Sequence, residues 1–101
     1  MTDFGIIGVG RIGTSFARNM SLNGIKVSLY DKNFDKSTYI KTHYSELESS
    51  LVFDDINKFI SSISLPRKVL VLVPSGPSLD EVISLCIKNL NSNDILIDAG
   101  N

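Results

Sequence analysis

Hydrophobic and polar positions along this chain switch repeatedly between a period of two and a period near 3.6, and each switch marks an element. The mostly apolar Phe4-Gly5-Ile6-Ile7 runs straight into Gly8, Gly10 and Gly13, and Ile12, Phe16, Ala17 and Met20 follow at helical spacing. This predicts a strand, a glycine-rich turn and a helix. Asn23-Gly24 reads as the helix stop, because Gly24 can adopt the left-handed conformation that closes a helix. Residues 25–30 alternate Val27 and Leu29 with Lys26 and Ser28, which predicts a second strand reaching Asp31. Strand, helix and strand in that span make a βαβ unit with parallel strands and a right-handed crossover.

Beyond Asp31 the pattern weakens. Residues 32–50 are polar and predict only a short helix around 37–44, after which Leu51-Val52-Phe53 reads as a short third strand. Asp54-Asp55 offers an N-cap for a helix carrying Ile56, Phe59, Ile60 and Ile63 on one face. Pro66 ends that segment, since the residue before a proline is pushed out of helical angles. Val69-Leu70-Val71-Leu72-Val73 is the strongest strand signal, as expected for a central parallel strand covered on both faces. A loop at Pro74-Ser75-Gly76-Pro77-Ser78 comes next. Ser78 and Glu81 predict a capping box opening a helix with Leu79, Val82, Ile83, Cys86, Ile87 and Leu90 as its apolar positions. Residues 91–94 turn the chain, and Ile95-Leu96-Ile97 is the fifth strand. The alternation predicts an α/β fold of Rossmann type: a doubly wound parallel sheet of five strands in order 3-2-1-4-5, residues 1–101 forming one domain.

The glycines give that fold a chemistry. At a strand-to-helix junction Gly8 can supply the tight turn, Gly10 lets a pyrophosphate approach the backbone, and Gly13 lets the helix pack against the strand. An anion would rest on the helix N-terminus, where backbone N–H groups lack partners. Asp31, 18 positions after Gly13, falls at the tip of the second strand, where a carboxylate can accept hydrogen bonds from an adenosine ribose. Ligands of open parallel sheets bind outside the carboxyl ends of the strands. Residues 8–13, 31–33, 73–75 and 98–101 are therefore expected to converge on one crevice.

Composition narrows the partners. Ten basic and eleven acidic residues leave a formal net charge of −1, which argues against nucleic acid or an anionic membrane as the main partner. No apolar run is long enough to span a membrane, and Thr2-Asp3 after Met1 does not resemble the start of a signal peptide, so a cytoplasmic location is expected. The single cysteine, Cys86, excludes an internal disulfide and a cysteine-based zinc site, and its place on an apolar helix face predicts a buried thiol. His43, the one histidine, lies in the polar stretch and is expected to be a solvated surface residue. Thr14 and Ser15 follow the glycine loop without a histidine partner. No catalytic constellation and no metal site is expected among these residues.

Several of these features together resemble the N-terminal coenzyme domain of 6-phosphogluconate dehydrogenase, within the β-hydroxyacid dehydrogenase group. The likeness runs through the glycine loop, the strand end Tyr30-Asp31-Lys32-Asn33, the run Leu65-Pro66-Arg67-Lys68-Val69, the loop Pro74-Ser75-Gly76, and the closing Asp98-Ala99-Gly100-Asn101, which is close to the family's D-G-G-N. The resemblance implies oxidative decarboxylation of 6-phosphogluconate to ribulose 5-phosphate, with hydride passed to a nicotinamide cofactor. It further implies that Gly8, Val9, Gly10, Arg11, Ile12 and Gly13 contact the pyrophosphate, that Asp31, Lys32 and Asn33 surround the ribose, and that Val73, Pro74 and Ser75 line the path to the nicotinamide. Asn101 would sit between cofactor and substrate. The family's acid-base pair, its remaining contacts to the sugar acid and its dimerising helical domain have no counterpart in this sequence, so the chain reads as a cofactor-binding piece of a longer homodimeric enzyme. The alternatives are a non-catalytic NAD(H)-binding module and the coenzyme domain of another β-hydroxyacid dehydrogenase or imine reductase. Asp31 and Pro74 depart from the NADP-using members, and NAD is the expected preference over NADP.

Overall fold

In the computed structural model, which describes residues 1–99, strands β1 (Phe4–Ile7), β2 (Val27–Tyr30), β3 (Leu51–Phe53), β4 (Lys68–Val71) and β5 (Ile95–Asp98) form one parallel sheet in the order β3-β2-β1-β4-β5. The order reverses beside β1, between β2 and β4. Among the described residues the α-helices are α1 (Arg11–Leu22), α2 (Phe34–His43), α3 (Ile56–Ser61) and α4 (Pro77–Asn89), with a 3-10 turn at Ser45–Leu47. One face of the sheet carries a core of Ile7, Phe59, Ile60, Ile63, Val69, Val71 and Cys86, to which α3 and α4 contribute. On the other face Ile6, Ala17, Val27, Leu29, Ile40 and Leu47 pack together under α1 and α2. The doubly wound arrangement thus follows the predicted alternation, strand by strand.

Three local expectations are corrected. First, α4 begins at Pro77 with Gly76 as its N-cap and no side-chain cap, so Ser78 does not form a capping box with Glu81. Proline is preorganised for the first helical position, and Gly76 at φ +137° makes a turn that side-chain-bearing residues resist. Second, α2 begins at Phe34 rather than near Ser37, because the Asn33 side chain accepts the Asp35 N–H at 3.1 Å and caps it there. The third correction concerns which residues face the sheet.

In α1 the buried residues are Gly13 and Ala17, while Ile12 is 62% and Phe16 42% exposed. The helix lies so close to the glycine loop that a Cβ at Gly13 would fall on the Gly8 carbonyl oxygen. Only small side chains fit that contact line, and it turns Ile12 and Phe16 of the periodic stripe outward, whereas Ala17 is buried as expected and Met20 packs partly buried against the core. Ile87 of α4 is likewise exposed, although Leu79 and Cys86 on that helix are buried. Cys86 has the burial predicted for it. His43 is exposed and stacks on Tyr39 at 3.8 Å, as befits a surface histidine. Asp55, not Asp54, caps α3, its carboxylate accepting from the N–H groups of Asn57 and Lys58.

Candidate functional site

A cavity of about 560 Å³ opens at the carboxyl ends of β1, β2 and β4. Gly8 reaches it through a turn at φ +97°, where a Cβ would stand 2.9 Å from the Leu72 carbonyl oxygen of the adjoining loop. Both the backbone angle and the space therefore demand glycine at this position. Gly10 is different: a Cβ there would meet nothing within 4 Å, and its φ of −73° suits any residue. What the missing side chain leaves at Gly10 is open room beside the backbone, in the cavity wall.

Gly10 is also the N-cap of α1, which has neither a side-chain cap nor an acidic residue in its first turn. By contrast α2 and α3 are capped by Asn33 and Asp55. The uncapped N–H groups of α1 are left for an external acceptor, and an anion satisfies them best. On the opposite wall the N-terminal residues Gly76, Pro77 and Ser78 of the uncapped α4 line the same cavity.

The Asp31 carboxylate forms the end of the cavity nearest β2, and two backbone donors immobilise it. Its Oδ2 accepts the Val9 N–H at 2.9 Å and its Oδ1 accepts the Asn33 N–H at 2.8 Å. A carboxylate offers about four lone-pair directions, so acceptor capacity remains for a ligand hydroxyl. The Tyr30 hydroxyl is raised above the usual phenol range by burial first, and then by Asp31, Asp55, Glu81 and Asp54. Lys32 and Lys36 bring positive charge to the same cavity.

Of the residues expected at the site, Gly8, Gly10, Asp31, Lys32, Val73, Pro74 and Ser75 share this cavity. Val9 is buried and turned toward the α1–α2 side, where Arg11 and Asn33 also lie. Ile12 and Gly13 flank a shallower recess with Pro74 and Ala99, which brings the end of β5 next to the glycine loop. Asn101 lies outside the described residues. Sequence reasoning missed Lys36, Glu81, Val82 and Leu85 as lining residues. Val82 carried a signal, its place on the apolar face of α4, but that signal does not distinguish a core wall from a cavity wall. The polar pair carried none.

The family model for the NAD binding domain of 6-phosphogluconate dehydrogenase matches residues 3–101. The chain belongs to that family. Among curated relatives, "6-phosphogluconate dehydrogenase, decarboxylating" of Chlamydia muridarum is 34% identical over 98% of this chain and 21% of its own length. "6-phosphogluconate dehydrogenase, decarboxylating 1" of Saccharomyces cerevisiae is 32% identical over 98% of this chain and 20% of its own. The chain thus spans about one fifth of these relatives. A solved structure of Plasmodium falciparum 6-phosphogluconate dehydrogenase, described in its apo form, with its cofactor NADP+ and with its substrate 6-phosphogluconate, superposes with a TM-score of 0.88. It is 29% identical, over 97% of this chain and 21% of that one. Glycerol-3-phosphate dehydrogenase of Coxiella burnetii, at 19% identity and a TM-score of 0.81, shares the fold. The family's NAD-binding character agrees with the groups at the cavity: an open backbone at Gly10, the donor N–H groups of an uncapped helix N-terminus and a fixed acceptor carboxylate at Asp31.

Proposed function

We propose that this chain is the coenzyme domain of a longer, homodimeric, cytoplasmic 6-phosphogluconate dehydrogenase, and that it prefers NAD to NADP. The enzyme oxidises 6-phosphogluconate, which loses carbon dioxide to yield ribulose 5-phosphate, the nicotinamide taking the hydride. The observation that carries this reading is the shared cavity of Gly10 and Asp31, flanked by the uncapped α1. Gly10 and the first turn of α1 hold the pyrophosphate, while Asp31 accepts the ribose hydroxyls. Val73, Pro74 and Ser75 steer the nicotinamide half toward the sugar acid, and Asn101 bridges cofactor and substrate. Because substrate contacts and acid-base groups belong to the remaining four fifths of such an enzyme, the chain alone binds cofactor without turning over 6-phosphogluconate.

The preference for NAD rests on charge. A 2′-phosphate would bring about two negative charges toward Asp31, and like unit charges 4 Å apart repel by about 1 kcal/mol even in bulk water. Lys32 and Lys36 act in the opposite direction. They are exposed ammonium groups on flexible stems, whereas two backbone N–H groups fix the carboxylate in place. Calorimetric titration of the purified chain should give tighter binding of NAD than of NADP by at least several-fold, and Asp31→Asn should narrow the gap. Tighter binding of NADP by the unmodified chain would overturn the preference. Absence of binding by either would overturn the coenzyme reading.

A further inference from the structure

Val9 stands between Gly8 and Gly10, two residues with the widest backbone freedom of any, yet it is only 3% exposed and held from both sides. Its N–H donates to Asp31 Oδ2 at 2.9 Å, and its carbonyl accepts the Thr14 hydroxyl at 3.2 Å. Thr14 in turn sits one turn into α1, where its backbone N–H donates to the Gly10 carbonyl at 2.9 Å. Asp31 also accepts the N–H of Asn33, the residue that caps α2. One carboxylate and one hydroxyl thereby tie the middle of the glycine loop to the end of β2 and to α1.

From this geometry we infer that Asp31 and Thr14 are positioning residues for the glycine loop, a clasp that presets the backbone against which a pyrophosphate binds. The reason is entropic. A loop with glycine on each side of a single larger residue samples many shapes, and ordering it on binding would cost affinity. A bond at each end of Val9 imposes the shape beforehand. A charge-assisted bond to the carboxylate is the stronger of the two. The role is separate from the contact of Asp31 with ribose. It deepens the coenzyme reading and rests on it for the ligand, whereas the clasp itself is a property of the free protein.

Amide hydrogen exchange of the ligand-free chain, followed by NMR, tests the clasp without any cofactor. Asp31→Ala should speed exchange at Val9 by about tenfold or more, while the amides of Val69 and Val71 in β4 keep their protection and show that the fold persists. Should that variant not fold, Thr14→Val and Thr14→Ser carry the test. Thr14→Val should weaken binding of ADP about tenfold and leave adenosine, which has no pyrophosphate, unchanged, and Thr14→Ser, which keeps the hydroxyl, should restore ADP binding. Unchanged exchange at Val9 in the folded variants would overturn the inference. So would an equal loss for ADP and adenosine, which marks a merely structural residue, or no loss for either. If the unmodified chain binds neither ADP nor NAD, the coenzyme reading falls, and the exchange rates still decide the clasp.

Discussion

Asp94 holds Arg67 at two points: one carboxylate oxygen accepts the Arg67 backbone N–H at 2.6 Å, and the other lies 3.5 Å from its guanidinium. The second oxygen also accepts the Asn91 N–H at 2.7 Å. The lead-in to β4 is thereby joined to the turn before β5, on the far edge of the sheet from Asp31. The Leu65-Pro66-Arg67 run that marks the family resemblance has a structural use here, since Arg67 joins the start of β4 to the turn that leads into β5.

A pH dependence follows. Burial would raise the Asp94 carboxyl, but the hydrogen bonds from Asn91 and Arg67 and the Arg67 charge outweigh it and hold the group below the ordinary carboxylate value. A depressed folded-state pKa adds stability above about pH 4, and that stability is lost as pH falls toward the folded value. Urea unfolding at pH 6 and pH 3 should therefore show Asp94→Asn less stable than the native chain at pH 6, with the difference shrinking at pH 3. An equal difference at both values would refute the linkage.

Substituting two glycines of the loop should separate fold from binding. Gly13→Ala places a methyl group against the Gly8 carbonyl, and overpacking of that kind costs about 1–3 kcal/mol. Gly10→Ala meets no protein atom within 4 Å and should cost at most about 1 kcal/mol, through the poorer helix cap. Its methyl group stands where the pyrophosphate would approach, so binding should fall well out of proportion to stability. Thermal unfolding and calorimetry on both variants check the contrast, which disappears if the two lose stability and affinity in parallel.

Cys86 should be chemically silent in the folded chain. It is fully buried, and burial pushes the thiol from 9.0 up to about 11, leaving almost no thiolate at neutral pH. Because the neutral form is the one the fold favours, its contribution to stability is present below the unfolded value and is lost as pH rises through about 11. Alkylation with iodoacetamide at pH 8, read by mass spectrometry, should follow the urea unfolding curve. Rapid labelling of the native chain would contradict the burial.

The sequence by itself determined the five strands, their order and the glycine loop, because those depend on constraints that act locally. A long apolar run such as residues 69–73 marks a central strand covered on both faces, a right-handed crossover leaves few topologies open, and a strand-to-helix turn of this tightness requires glycine. Asp31 was legible for the same reason: it follows a strand directly, so its position at the strand end needed no tertiary knowledge. Apolar periodicity also placed the buried faces of α3 and β4, where side chains of ordinary size meet the sheet.

Only the tertiary structure decided which face of α1 is buried. Periodicity grouped Ile12 and Phe16 with Ala17, but the closeness of α1 to the Gly8 carbonyl is a distance between elements, and it leaves Ile12 and Phe16 exposed while Ala17 is buried beside Gly13. The cap of α4 was likewise settled by the turn at Gly76, which places Pro77 first in the helix and leaves Ser78 inside it. Lys36, Glu81 and Leu85 became cavity residues through the approach of β2 and β4 to β1. The double hold on Val9 from Asp31 and Thr14 belongs to the same class. Its two anchors lie 22 and 5 positions from Val9 along the chain, and folding brings them to the N–H and the carbonyl of one residue.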